Sequence, residues 1–167
     1  MTDQFELKRI TKAGVPAALQ KAERYRIIND PSSAESICLD VLAADPDNQR
    51  ALVMLILALT DQFGESHLGL GERRCEEYVT HLQDEYERSY YSGVICERRG
   101  KHAARGRMAR TAAYEWFRDA MQWYEKAEKI RPAGNDDAIL RWNTCARILK
   151  HNQDLQPEKE ERVEYLE

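Results

Sequence analysis

Six basic residues crowd one short stretch: Arg98, Arg99, Lys101, Arg105, Arg107 and Arg110, with no acidic residue among positions 98–110. Forked guanidinium groups at that density suit an acidic peptide or phosphates. The plainer alternative is a solvated helix start. Gly100 and Gly106 allow the stretch to stay flexible. Nucleic acid is not expected as a partner. No aromatic side chains interleave with the charges to stack on bases, and the whole chain carries a net charge of −4.

Catalytic chemistry finds little to work with. The histidines His67, His81, His102 and His151 are scattered, and none sits in a His-Glu-x-x-His pattern or beside a convincing nucleophile. Glu76, Glu77, Asp84, Glu85 and Glu87 are dense, but acidic residues at helical spacing read as a solvated face. Cys75 and His81 lack the tight ligand pairs of structural zinc. The glycine-rich turn over 64–71 lacks the Gly-Lys-Ser/Thr ending of a phosphate loop. The sequence therefore predicts no catalytic residue, no metal, no cofactor and no enzyme. Its four cysteines, Cys38, Cys75, Cys96 and Cys145, fall at apolar helical positions without Cys-x-x-Cys pairing. That pattern predicts free thiols in a reducing, cytoplasmic setting. No basic and then apolar leader opens the chain, and its longest apolar run, 51–59, is about half a membrane span.

The elements that hold these residues read as helices throughout. Val15, Ala18, Ala22, Tyr25 and Ile28 recur at spacings of three and four, and Pro31 opens a second helix with Ala34, Ile37, Cys38, Val41 and Leu42 inward. A third, over 49–63, is apolar nearly all round at its centre, as in a helix covered on more than one side. Two further helices meet near Asp84, the second ending at Gly100. A long helix over 104–130 follows, with an inward stripe of Ala109, Ala112, Trp116, Ala120, Trp123 or Tyr124, Ala127 and Ile130. A last helix, with Asn135, Asp136 and Asp137 as available caps, turns Ile139, Trp142, Cys145, Ala146 and Leu149 inward. The pattern predicts an all-α chain of about seven helices. Residues 1–14 form an N-terminal arm, 15–152 the helical domain, and 153–167 an acidic tail.

An internal repeat emerges when Ala34 and Pro46 are aligned. Their spacing of twelve returns at Ala120 and Pro132. Around them stand Ala34-x-x-x-Cys38 and Ala120-x-x-x-Tyr124, with Ala22-x-x-Tyr25 upstream of the first and Gly93-x-x-Cys96 upstream of the second. These residues resemble the tetratricopeptide repeat, written Trp-x-x-Leu-Gly-x-x-Tyr, Ala-x-x-x-Phe and Pro. Unit 15–48 matches best, unit 49–85 has a degenerate second helix, and unit 86–133 carries roughly fifteen extra residues between its helices. The last helix resembles a capping helix. The resemblance implies a right-handed α-solenoid of helical hairpins, each unable to bury its apolar face alone.

The resemblance also implies a groove lined by the first helix of each pair. Mapped onto this chain, the lining residues are Leu19, Glu23 and Arg26, then Val53, Leu57 and Thr60, then Tyr90, Val94 and Glu97. The lysines and asparagines with which some relatives hold a C-terminal carboxylate are missing there. An apolar centre with a charged rim suits an apolar or amphipathic segment of another protein or peptide. The expectation is a non-catalytic adaptor or scaffold. The alternatives are a small chaperone shielding an apolar client segment, and a phosphate- or RNA-binding module acting through 98–110. The acidic tail, with Val163, Tyr165 and Leu166, suits docking onto the basic stretch or the groove; a solubilising role is its alternative.

Overall fold

The computed structural model describes residues 5–65, 70–106 and 110–157. Among these residues there are seven α-helices and no strand: α1 Val15–Ile27, α2 Pro31–Ala44, α3 Gln49–Thr60, α4 Leu70–Thr80, α5 Glu85–Arg105, α6 Arg110–Lys129 and α7 Asp137–His151. A 3-10 turn, Lys12–Gly14, precedes α1. His67, Arg107, Ala109 and the tail residues Val163, Tyr165 and Leu166, all named from the sequence, lie outside the described residues.

Short polar side chains set the helix starts. Asp30 accepts from the Ser33 backbone N–H at 3.1 Å, with Pro31 just inside the helix. Asn48 and Asp84 do the same for Ala51 and Glu87, at 2.9 and 3.1 Å. At α7 the capping oxygen comes from Asn135, which accepts from the Asp137 N–H. The turn before α2 needs a left-handed residue, supplied by Asn29 at φ 62°.

Each helix packs on its neighbours in the chain, and α1 also meets α3 while α3 meets α5. One core cluster joins α1 to α5 around Leu55, Ile56, Cys75 and Ile95. A second joins α5 to α6 and α7 around Val94, Phe117, Tyr124 and Cys145. A third seats Val15 and Leu19 on Val41 and Ala51. The α3 helix is buried almost all round, as its continuous apolar run requires.

Three sequence expectations need correction. Gly100 does not end a helix; it is buried inside α5, which continues to Arg105 and is closed by Gly106. The long helix over 104–130 is instead two elements, the end of α5 and α6. The inward stripe of α6 is Ala113, Phe117, Ala120, Met121, Tyr124 and Ala127. Trp116 and Trp123 flank that stripe, Ala112 is exposed and Ile130 stands 44% exposed. Phe117 and Tyr124 win the inside places because Gly100 and Gly93 of α5 lie directly under their rings. A tryptophan at either place would bring a larger ring to that gap.

Candidate functional site

The mapped groove residues lie along α1, α3 and α5, and α7 continues the row. A ladder of ion pairs joins the four helices. Arg26 of α1 donates its Nε–H to Asp61, just past α3, at 2.8 Å. Arg98 of α5 approaches the other oxygen of Asp61 at 3.5 Å. One turn further along α5, Lys101 donates to Glu97 at 2.5 Å. Arg141 of α7 straddles the Glu97 carboxylate at 3.2 and 3.3 Å and donates its Nε–H to the Tyr90 hydroxyl at 2.9 Å. Four cations thus surround two carboxylates.

Glu97 is the hub of this face, yet it is 0% exposed. The Tyr124 hydroxyl donates to it at 2.6 Å from below. Burial alone would push its carboxyl pKa up. Hydrogen bonds from Lys101 and Tyr124, together with the charges of Lys101 and Arg141, outweigh burial and hold the pKa below the ordinary 4.5. Burial likewise opposes the charge of Arg141, and Glu97 with Tyr90 more than restores it. Glu97 accepts from every donor around it and faces no open space, so this arrangement anchors helices rather than moving protons.

The other mapped residues divide by exposure. Val94, Thr60 and Leu19 are buried, so with Glu97 they support the face from behind rather than line it. Val53, Leu57, Tyr90 and Arg26 are half-buried and reach its surface. Tyr86 stacks on Tyr90 with ring centroids 5.7 Å apart and extends the apolar strip toward α7. Asp61, Tyr86 and Arg141 were not found from the sequence. The Glu97–Lys101 pair, one helical turn apart with the acid first, carries a local signal. Asp61 and Arg141 show none, because their partners lie more than thirty residues away.

The described part of the basic stretch is ordered on α5 and α6. Residues 98–105 are helical, and most of their charge is already paired. Arg98 and Lys101 belong to the ladder. Arg99 turns to the opposite side of α5, where it pairs with Glu76 at 2.6 Å and lies 4.7 Å over the Trp116 ring. Arg110 pairs with Asp154, and Arg105 is exposed. Among the described residues no group of three or more His, Cys, Asp and Glu side chains is placed to hold a metal ion, and no helix is long and apolar enough to cross a membrane. No protein-family model, no curated protein and no solved structure matches the chain.

Proposed function

We propose that the chain is a non-catalytic adaptor: a tetratricopeptide-like right-handed solenoid whose odd-numbered helices form a binding face for a segment of another protein. Alternate packing of α1 on α3 and α3 on α5 supports the solenoid reading. One observation carries the function. A strip of half-buried apolar groups, Val53, Leu57, Tyr86 and Tyr90, runs beside four cations that, among the described residues, pair with two carboxylates. Such a surface favours a segment bearing both apolar and acidic side chains. The strip is narrow, and Val94 beneath it is buried, which favours an adaptor over a chaperone that shields a broad apolar client. Four free, buried cysteines suit a reducing compartment such as the cytoplasm.

The test is affinity capture from the source cell's lysate with wild type and Leu57→Asp, each checked for helicity by circular dichroism. A partner held on this face is recovered with wild type and lost with the folded variant. Equal recovery with both would place the interface elsewhere.

A further inference from the structure

The α5 helix packs on α3, α4 and α6, but α4 and α6 diverge above it. Between them lies a cleft of about 760 Å³. Val79, Ser89, Ile95 and Cys96 make its floor and are buried in the core beneath. Trp123 and the exposed Ile130 make its α6 wall. At one end Arg99 ties α4 to α6, through Glu76 on one side and the Trp116 ring on the other. None of its lining residues belongs to the ladder of α1, α3, α5 and α7.

Charge along the rim is sorted. The α6 edge carries Lys126 and Lys129, both exposed, with Arg88 of α5 also lining the cleft. Lys126 is poised 4.5 Å over the Trp123 ring. On the opposite side Arg99 is shared by Glu72 and Glu76 of α4, and the exposed Glu85 at the start of α5 also lines the cleft. Arg88 donates from one nitrogen to the Leu82 and Gln83 carbonyls, in the connection between α4 and α5. An occupant therefore meets positive charge along the α6 edge and acidic side chains on the opposite side.

The geometry points to an amphipathic α-helix of a partner protein, laid in this cleft with its apolar stripe down and carboxylates along the edge facing Lys126 and Lys129. Length fits: the lining on α5 runs from Glu85 to Arg99, about 21 Å or four helical turns. Backbone chemistry selects a helix over an extended strand. The floor is mostly apolar, and the Ser92 hydroxyl already donates to the Arg88 carbonyl at 2.7 Å. An extended segment would bring backbone N–H and C=O groups over a floor poor in partners, whereas a helix pairs them internally. Apolar anchors at i, i+3, i+4 and i+7 then meet Val79, Ile95, Trp123 and Ile130.

Three synthetic four-turn peptides test this against the full chain by fluorescence anisotropy. Two share one leucine stripe, flanked by glutamates in the first and lysines in the second; the third is the glutamate form with a central proline. The glutamate peptide should bind roughly tenfold more tightly than the lysine peptide, and the proline form should not bind. Lys126→Glu with Lys129→Glu should reverse the order, with helicity unchanged, while Leu57→Asp should leave it intact. Equal binding of the glutamate and lysine peptides, no saturable binding, or indifference to the charge reversal would overturn the proposal. So would binding that appears only after residues 158–167 are removed, which makes the chain's own segment the occupant. Binding that appears only after dilution breaks a dimer would also overturn it, since a second copy then fills the cleft.

Discussion

A carboxylate taken fully out of water destabilises a fold unless its neighbours restore what hydration gave. At Glu97 two cations and a phenol do so, from three different helical positions on α5, α6 and α7. Replacing Glu97 with Gln keeps the shape but removes the charge, leaving Lys101 and Arg141 facing a weaker acceptor. Urea unfolding should show a loss of about 2 kcal/mol near neutral pH, the size of a hydrogen bond to a charged group. The pH dependence follows from the lowered pKa. A carboxylate with a depressed folded pKa contributes its stability above the ordinary value of 4.5, and loses it as pH falls through the folded value. Wild type should therefore lose stability faster than Glu97→Gln as pH drops below about 4.5. Parallel curves would mean that folding leaves the Glu97 pKa unshifted, and a wild type that gains on the variant as pH falls would mean that the carboxyl is protonated in its site. The thiols make a second test at this scale. Burial pushes Cys38, Cys75 and Cys145 up to about 12 and Cys96 up to about 11. All four should resist a thiolate-specific reagent at neutral pH until urea unfolds the chain. Rapid labelling of any one in the folded state would show that it is not buried as described.

Helices meet where side-chain size allows, and the hairpin of α5 and α6 shows the rule in antiparallel register. Gly93 lies against the Tyr124 ring and Gly100 against the Phe117 ring. A methyl group at position 93 would stand 2.5 Å from Tyr124 Cε1, and that ring is pinned by its hydrogen bond to Glu97. At position 100 the same methyl would meet Phe117 at 3.2 Å. Alanine is the better helix former by ~1 kcal/mol, so the two substitutions divide. Gly93→Ala should cost about 2 kcal/mol, as overpacking does. Gly100→Ala should come out within ~1 kcal/mol of neutral, because propensity offsets the tighter fit. Equal costs in urea unfolding would show that the ring of Tyr124 can move aside. These glycines also mark how far the sequence could be read. Seven helices, the Pro31 start and the Asp84 boundary were legible because capping and periodicity are local. Gly100 was read as a terminator because glycine ends helices more often than it admits a ring from the next one. The better signal was present: two glycines seven apart, matched by two aromatics seven apart. Of the residues mapped from the sequence to the candidate face, Arg26, Val53, Leu57 and Tyr90 are half-buried. The burial of Val94 and Glu97 was not legible, since α6 and α7 cover them by contacts distant in sequence.

Across the whole chain, two cores share one helix. Ile95 of α5 belongs to the cluster with α3 and α4, its neighbours Val94 and Cys96 to the cluster with α6 and α7, and Tyr91 packs against both. Two cores that share an element melt together when that element is held firmly by both. Here the shared element is α5, so neither core can open without disturbing it. The tryptophans give a clean reporter. Trp116, Trp123 and Trp142 all lie in α6 and α7, and Leu55 lies in the other core, fully buried. Leu55→Ala should cost about 3 kcal/mol by leaving a cavity in that first core. If α5 couples the cores, tryptophan fluorescence and far-ultraviolet circular dichroism should shift to the same lower urea midpoint. If the cores are independent, fluorescence should keep its wild-type midpoint while the dichroism curve acquires an earlier step. The first outcome is expected, because Ile95 of α5 is buried in the first core while the Glu97 network and the Gly93–Tyr124 contact hold the same helix in the second.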